Sequence, residues 1–281
     1  MKIQILIENT TKSDLIAEHG LSIFIEYNKK KILLDAGTTA TFINNAKKMK
    51  ADIKDADFCV LSHGHYDHSG GFGEYLNQNP DKKIYAMDTI AGDYYSASGG
   101  SIHYIGVPVE VYPKYKDNFV MLNQITKLVD GVYVIPHKNA ENLSKIGERA
   151  KLYKKIGDEY MPDDFCHELS LVFDTEKGLV IFNSCSHSGV VNIVDEVREY
   201  FGQDKEIAAF IGGLHMKGKL GDKEICTFSK EEIEMLVEYL KINRVKKLYT
   251  GHCTGIVGYE IISKYMGGKV EYIYTGKEIN I

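Results

Sequence analysis

The sequence predicts an α+β fold in which β-sheets are flanked by helices, and three features of the chain lead to this prediction. The chain opens with short apolar strands joined by turns, as in an antiparallel meander. Predicted strands and helices then follow one another along most of the chain. Histidines stand directly after several apolar strands, which predicts a functional site along the edge where those strand ends meet.

Length and composition restrict the class of protein. The chain has 281 residues, of which 44% are hydrophobic and 26% charged, so one large globular domain over residues 1–281 is expected. A net charge of −5 without a long basic run argues against a general nucleic-acid binder and favours a small-molecule substrate. No apolar run reaches membrane-spanning length, and five cysteines, an odd number, fit a reducing compartment. We therefore expect a cytoplasmic protein without membrane contact, and a homo-oligomer stays open.

The first part of the chain predicts the meander and the strands after it. Residues 2–7, 23–27 and 31–35 are short apolar or alternating runs separated by turn residues, which is typical of antiparallel strands. Residues 40–49 carry apolar side chains at helical spacing. Two later apolar runs, at 56–61 and 82–87, predict buried strands.

Residues 88–162 differ from their surroundings because they are rich in Tyr, Gly and Lys. We predict that they form an insertion or cap over the site; the alternative is a longer route through the same sheet. Within them, residues 141–155 have one apolar edge at helical spacing and predict a charged amphipathic helix. The tyrosines either line a pocket for a ring system or are half-buried packing residues.

The second part of the chain returns to regular elements. Residues 168–174 and 179–183 predict a β-hairpin, and 207–211, 245–249 and 270–276 predict three further strands, the last at a sheet edge. Residues 190–201 predict an amphipathic helix. A second helix, ending near residue 240, is predicted to begin at Ser229, because Glu232 follows it at the spacing of a capping box.

The strongest chemical signal follows the predicted strand at 56–61. It has the form His-x-His-x-Asp-His and consists of His63, His65, Asp67 and His68. Neutral imidazole nitrogens and a carboxylate oxygen suit zinc, and also iron or manganese. A polar loop whose histidines only cap and hydrogen-bond is the alternative, but three imidazoles so close together favour a metal. Gly70 and Gly71 follow the motif, and we expect them to interrupt regular structure and open a helix.

Further candidates stand at other predicted strand ends. Asp35 ends the third strand, and the others, after or before later strands, are His167, Cys185, His187, His215 and His252. A thiolate at Cys185 binds zinc or iron well, although a small buried residue is the alternative. His187 precedes a predicted helix whose N–H groups would suit an anion. His215 is either a proton donor or substrate contact, or a hydrogen-bonded structural histidine. His19, His103 and His137 have less telling surroundings and are expected to have ordinary roles; for His19 the alternative is that residues 20–22 bring it to the sheet edge.

The His-x-His-x-Asp-His motif resembles the signature of the metallo-β-lactamase superfamily. The resemblance implies a four-layer αββα sandwich, here with an inserted cap region at about 88–162. It implies that His63, His65 and His167 hold a first metal and that Asp67, His68 and His252 hold a second. Asp35 would orient a ligand histidine through a hydrogen bond. Where members usually carry a bridging Asp, this chain has Cys185, so the second site is expected to be altered.

Three phrases within the chain are similar to one subgroup of the superfamily. They are residues 18–22 (Glu-His-Gly-Leu-Ser), 184–189 (Ser-Cys-Ser-His-Ser-Gly) and 250–255 (Thr-Gly-His-Cys-Thr-Gly). The subgroup is that of the 7,8-dihydropterin-6-yl-methyl-4-(β-D-ribofuranosyl)aminobenzene 5'-phosphate synthases. The resemblance implies a link to pterin biosynthesis.

These observations leave three functional hypotheses. The first is a metal-dependent hydrolase that uses metal-activated water on a small phosphorylated or ester-bearing metabolite, with one or two divalent metals, zinc before iron or manganese. In it, Asp67 binds metal and orients the water, whereas His187 and His215 contact the substrate and His215 protonates the leaving group. The second is a pterin-pathway enzyme that joins a dihydropterin to ribofuranosylaminobenzene phosphate. The third is an iron-loaded redox or binding protein.

Overall fold

The computed structural model describes residues 1–138 and 151–281. They belong to two units, each with its own internal packing. The first unit comprises Met1–Asn123, Tyr153–Met161 and Ile273–Ile281, and the second comprises Gln124–Leu152 and Pro162–Tyr272. That the chain is one domain with an insertion at about 88–162 stays a prediction.

The elements are numbered in chain order over the described residues. The strands are β1 (Lys2–Ile7), β2 (Ser22–Tyr27), β3 (Lys30–Leu34), β4 (Phe58–Val60), β5 (Ile84–Met87), β6 (Tyr94–Ser96), β7 (His103–Tyr104), β8 (Phe119–Leu122), β9 (Thr126–Val129), β10 (Val132–Pro136), β11 (Leu152–Ile156), β12 (Glu159–Pro162), β13 (Leu169–Thr175), β14 (Gly178–Phe182), β15 (Ile207–Ile211), β16 (Lys217–Leu220), β17 (Lys223–Cys226), β18 (Leu248–Thr250), β19 (Val270–Tyr272) and β20 (Glu278–Asn280). The α-helices are α1 (Thr41–Met49), α2 (Tyr66–Ser69), α3 (Phe72–Gln78), α4 (Val190–Phe201), α5 (Lys230–Ile242) and α6 (Gly255–Met266).

The first unit contains a seven-stranded sheet in the order β20-β1-β2-β3-β4-β5-β8. Strands β1, β2 and β3 pair antiparallel, so the predicted meander is confirmed. Asn28 and Lys29, in the turn between β2 and β3, have φ angles of 48° and 63°, as the two central residues of a type I′ hairpin turn require. From β3 onwards the neighbouring strands β4, β5 and β8 are parallel.

This change from antiparallel to parallel pairing positions the motif. The carboxyl ends of neighbouring parallel strands lie at the same edge of a sheet. Asp35 directly follows β3, and Ser62 and His63 follow β4 after one further residue. Residues far apart in sequence are thereby brought together at that edge.

The predicted helix at 40–49 is confirmed as α1, which buries Phe42 and Ala46. These two side chains belong to a core cluster that also includes Phe24 of β2, Phe72 of α3 and Leu33 of β3. Burial of such large apolar side chains contributes about 2 kcal/mol each, which holds the helices against the sheet.

The middle of the chain forms a four-stranded sheet in the order β12-β11-β6-β7. The helix predicted at 141–155 lies outside the described residues as far as residue 150, and its last residues are wrong, because Leu152–Ile156 is strand β11. Gly157 lies in the turn between β11 and β12 and has a φ of 62°, a left-handed value that does not occur within an α-helix. On this sheet the Tyr95 ring contacts the rings of Tyr104 and Tyr160 edge to face, with centroids 5.5 and 5.0 Å apart. For these three tyrosines the packing interpretation accounts for the contacts.

The second unit has its own seven-stranded sheet, in the order β19-β18-β15-β14-β13-β10-β9. The predicted hairpin is confirmed, since β13 and β14 pair antiparallel. Strands β14, β15, β18 and β19 are neighbours and parallel. The three loops that follow β14, β15 and β18 therefore begin at one edge, and they carry Cys185, His215 and His252.

Helices α4, α5 and α6 supply the core of the second unit. Val190, Val194 and Val197 of α4 are buried, as the spacing predicted. The capping box at the start of α5 is also confirmed: Ser229 Oγ accepts a hydrogen bond from the Glu232 backbone N–H, and Glu232 accepts one from the Ser229 N–H. None of the helices in 1–138 and 151–281 combines the length and apolar character that crossing a membrane requires.

Candidate metal centre

The motif of the first unit folds into a loop and a short helix at the end of β4. His63 and His65 lie in the loop, whereas Asp67 and His68 lie on α2. All four side chains are buried, with exposed fractions of 0% for His63 and His68, 5% for His65 and 7% for Asp67. The ring of His63 lies 4.6 Å from that of His65 and 4.2 Å from that of His68, measured between centroids. Imidazole nitrogens and a carboxylate oxygen gathered this closely are donors that suit a divalent metal.

Hydrogen bonds to Asp35 and Ser62 determine which nitrogen of the His63 and His68 rings carries the proton. Asp35 Oδ2 lies 2.8 Å from His68 Nδ1 and 2.7 Å from Ser62 Oγ. Because the carboxylate only accepts, both groups donate to it. Ser62 Oγ has then used its proton, so it accepts from His63 Nδ1, 2.8 Å away. The Nε2 atoms of His63 and His68 therefore carry a lone pair, which is the form of the ring that binds a metal.

The backbone conformation of Asp35 and a further hydrogen bond position its carboxylate beside Ser62 and His68. It is fully buried, has a φ of 57° and also accepts a hydrogen bond from the Ser62 backbone N–H at 2.8 Å. Asp and Asn tolerate this left-handed conformation better than most residues. The prediction that Asp35 orients a histidine of the motif agrees with these contacts.

His19 is a residue whose ordinary role the sequence reasoning assumed. Its Nε2 lies 3.3 Å from Asp67 Oδ2, and its side chain is 58% exposed. The neighbouring Gly20 explains the approach: its φ is 139°, and a Cβ there would lie 2.4 Å from the backbone oxygen of Asp67. Leu21 donates its N–H to the same oxygen at 3.2 Å. The Gly after His19 was the signal in the sequence, since only Gly permits this contact.

Gly70 and Gly71 separate α2 from α3, so the prediction that they interrupt regular structure and open a helix is confirmed. They also allow a close approach of two backbone segments. A Cβ on Gly70 would lie 2.1 Å from the Thr38 backbone oxygen, and one on Gly71 would lie 2.1 Å from that of Ala36. The glycines allow the motif segment to pack directly on the chain that follows Asp35.

In the second unit His167 lies before β13 and is fully buried. Its Nε2 is 3.1 Å from Oδ2 of Asp163, a carboxylate that is itself buried. Asp163 also accepts the Phe165 backbone N–H at 2.9 Å, and this turn holds it beside the imidazole. The sequence reasoning missed Asp163, although two adjacent aspartates four and three residues before His167 were a visible signal.

A carboxylate of the chain holds the loop after β14. Glu168, 1% exposed, accepts the backbone N–H of His187 at 2.8 Å and of Ser188 at 2.7 Å. Charge-assisted bonds of this kind fix the loop firmly. That the N–H groups of the following helix, α4, bind an anion stays a prediction.

His187 and His215 lie together in the second unit. Their ring centroids are 4.6 Å apart, and the His187 ring stacks on Phe165 at 5.0 Å and 10°. His215, with a φ of 53°, is partly buried. Within residues 1–138 and 151–281 its Nδ1 has no hydrogen-bond partner.

Cys185, His252 and Cys253 form a third group of possible donors. The two sulfur atoms and one His252 ring nitrogen all lie within 4.8 Å of one another. Burial raises the pKa of the Cys253 thiol, but hydrogen bonds with the Cys185 and His215 side chains and the charges of His252 and His215 outweigh this and hold the pKa well below its usual value. The sequence reasoning had not considered Cys253.

Comparison with known proteins identifies the family. The model of the metallo-β-lactamase superfamily matches residues 15–141. A 7,8-dihydropterin-6-methyl-4-(β-D-ribofuranosyl)-aminobenzene-5'-phosphate synthase of Methanocaldococcus jannaschii is 30% identical over 278 residues, which cover 94% of this chain and 90% of that protein. The chain belongs to the metallo-β-lactamase superfamily.

Solved structures of superfamily members agree with this assignment. A crystal structure of a metal-dependent hydrolase of the β-lactamase superfamily has a TM-score of 0.82 and 26% identity, and the match covers 100% of this chain and 99% of that one. Zinc-bound PqqB from Methylobacterium extorquens, at 12% identity, has a TM-score of 0.55 with full coverage of both chains and shows the fold alone. The predicted metallo-β-lactamase fold, with its α+β content, is therefore confirmed.

The superfamily fold typically holds a two-metal site, and each unit of this chain carries donors that suit such a site. The first unit brings together His63, His65, Asp67 and His68 around the Asp35 hydrogen bonds. The second unit holds His167 beside Asp163, His187 beside His215, and Cys185 beside His252. That His167 and His252 share metals with the motif, as the resemblance implies, stays a prediction.

We expect Gly70→Ala to destabilise the protein by about 3 kcal/mol, because the added Cβ would overlap the Thr38 carbonyl, which is backbone and cannot rotate away. Gly268→Ala is the matched control, since a Cβ there meets nothing within 4 Å. Urea denaturation of the two variants measures the difference in free energy of unfolding. Equal stability would show that the two segments can separate without loss.

Proposed function

We propose that the protein is a metal-dependent hydrolase that acts on a small phosphorylated or ester-bearing metabolite. The observation that carries the proposal is the buried motif of the first unit, in which Asp35 and Ser62 hold the rings of His63 and His68 through their Nδ1 atoms. A fold that buries three imidazoles and a carboxylate this closely gives up stability unless a cation compensates. Zinc is the ion that this donor set favours, with iron or manganese as alternatives.

A bound divalent ion would lower the pKa of water to near neutrality and polarise the oxygen of the bond under attack. Around it, His63, His65 and His68 would hold the ion, and the Asp35 contact would keep the His68 ring oriented. Asp67 would bind the ion and accept a hydrogen bond from the attacking water. His19, whose Nε2 lies 3.3 Å from Asp67 Oδ2, would hold that carboxylate in position.

In the second unit we assign His215 to proton transfer. Its buried Nδ1, without a hydrogen-bond partner in the described part of the chain, is suited to protonating a leaving oxygen. His187, in contact with the His215 ring, would contact the substrate. His167, Cys185 and His252 remain proposed metal ligands, in agreement with the superfamily resemblance.

Metal removal tests the requirement for an ion. We expect a strong chelator to abolish turnover and to lower the melting temperature, because a bound ion stabilises only the folded state. Zinc added back should restore both, and metal analysis of protein purified without added metal should find about one or two divalent ions per chain. Metal-free protein with full turnover would contradict the proposal.

The substrate class is tested with a panel of phosphodiester, phosphomonoester, lactone and thioester compounds. The proposal expects metal-dependent hydrolysis of at least one phosphorylated or ester compound. Absence of hydrolysis across the panel by zinc-loaded protein would contradict the hydrolase assignment.

A second candidate function is a pterin-pathway enzyme that joins a dihydropterin to ribofuranosylaminobenzene phosphate. It is favoured by the 30% identity with the synthase of Methanocaldococcus jannaschii over 94% of this chain. Fluorescence titration with a dihydropterin distinguishes the two functions: binding near micromolar concentration supports the synthase, and no binding to any pterin contradicts it. The iron-loaded redox or binding protein, the third hypothesis, predicts iron in the purified protein, and zinc alone would contradict it.

A further inference from the structure

The second unit places two cysteine sulfurs beside two imidazoles at one edge of its sheet. Cys185 lies in the loop after β14, and Cys253 lies in the short 3₁₀ helix His252–Thr254 after β18. Since β14, β15 and β18 are neighbouring parallel strands, their following loops meet at that edge. The Cys253 thiol donates to the Cys185 carbonyl oxygen at 3.5 Å, and its sulfur lies within 4.8 Å of the Cys185 sulfur and of a His252 ring nitrogen.

We propose that Cys185, Cys253 and His252 form a metal-binding set of two thiolates and one imidazole, so that Cys253 is a ligand in addition to those that the superfamily motif supplies. This set rests on the proposed metal-dependent function, and it makes the ion a thiophilic one such as zinc, cobalt or cadmium.

The separation of the donor atoms fits one ion. Zinc lies about 2.3 Å from a thiolate sulfur and about 2.0 Å from an imidazole nitrogen, and its ligands are arranged tetrahedrally, so two sulfur ligands of one zinc are about 3.8 Å apart. The three donor atoms lie within 4.8 Å of one another. Side-chain adjustments of about 1 Å therefore bring them to bonding distance.

The surrounding backbone is shaped around the Cys253 sulfur. A Cβ on Gly213 would lie 2.3 Å from that sulfur, so no other residue fits there without displacing the thiol. The Gly213 N–H donates to the Ser184 carbonyl oxygen at 2.8 Å, and Ser186 Oγ donates to the Gly213 carbonyl oxygen at 2.7 Å. These bonds fix the loop that carries Cys185 to the loop that makes room for Cys253.

Small buried cysteines that only fill space are the alternative. A packing role explains an apolar environment for each sulfur, but it does not explain two sulfurs and an imidazole nitrogen that all lie within 4.8 Å of one another. Hard oxygen ligands select magnesium, calcium or manganese, whereas two thiolates and an imidazole select zinc or another thiophilic ion. Manganese is therefore disfavoured at this set.

Cobalt(II) titration tests the ligand set because thiolate–cobalt bonds absorb in the near ultraviolet in proportion to their number. We expect wild-type protein to develop this band, Cys185→Ser and Cys253→Ser each to lose about half of it, and the double variant to lose all of it. Cys226→Ser is the matched control, since Cys226 is a half-buried cysteine of the same unit whose sulfur contacts the Phe228 carbonyl oxygen instead. A full band in Cys253→Ser overturns the proposal.

A measurement on unaltered protein avoids dependence on the folding of the variants. X-ray absorption at the zinc edge of zinc-loaded wild-type protein should show two zinc–sulfur contacts per chain at about 2.3 Å. One such contact or none overturns the role of Cys253. Neither readout uses turnover, so failure of this proposal and failure of the proposed function can be told apart. A hydrolase without the thiolate set would turn over substrate but show no zinc–sulfur contacts. A thiolate site without hydrolysis would show the contacts but no turnover.

Discussion

The His65→Ala variant is expected to lose metal-dependent turnover by about 1,000-fold or more while keeping its fold. The ring of His65 lies 4.6 Å from that of His63 in the buried cluster, so its removal takes one donor from the proposed ion. A metal ion contributes several kcal/mol of transition-state stabilisation, and each 1.4 kcal/mol corresponds to about tenfold in rate. Turnover with the best substrate of the panel, at saturating zinc, is the measurement.

His103→Ala is the matched control, because His103 is an exposed histidine of the first unit whose Nδ1 contacts the Ser101 carbonyl oxygen. It should retain turnover and zinc content. Circular dichroism of both variants checks the fold. If His65→Ala keeps full metal-dependent activity, the motif does not hold the catalytic ion.

The Asp35→Ala variant is expected to lose about 4 kcal/mol or more of stability. Three buried donors lose this acceptor: the Ser62 N–H, the Ser62 hydroxyl and His68 Nδ1–H, which lie 2.7 to 2.8 Å from the carboxylate. Each buried donor without a partner costs about 1–3 kcal/mol, and an alanine at a φ of 57° costs about 1 kcal/mol more. Urea denaturation measures the loss.

The Asp35→Asn variant separates the contribution of Asp35 to stability from its contribution to the orientation of His68. Asparagine tolerates the left-handed backbone and its Oδ1 still accepts a hydrogen bond, so we expect roughly half the loss of stability. Its orientation of His68 is weakened, and the affinity for zinc should fall about 10- to 100-fold. Unchanged zinc affinity in Asp35→Asn would show that Asp35 supports only the fold.

The sequence by itself determined the family and most of the regular elements. The motif at 63–68 and the positions of the candidate histidines after apolar strands were sufficient for the metallo-β-lactamase superfamily, which the 30% identical relative confirms. The meander β1–β3, the hairpin β13–β14, helix α1 and the capping box of α5 followed from local patterns. Local patterns succeed here because strand alternation, turns and caps depend on residues close together in the chain.

The tertiary structure decided which polar groups meet. Glu168 accepts the N–H groups of His187 and Ser188, Asp163 lies beside His167, and Cys253 lies beside Cys185. Residues 152–156 also became a strand, which lies between β12, directly after it in the chain, and β6, which comes from an earlier part of the chain. These outcomes depend on parallel strands bringing distant loops to one edge of a sheet. The spacing of residues along the chain does not show which distant loops meet, because this depends on the order and register of the strands in the sheet.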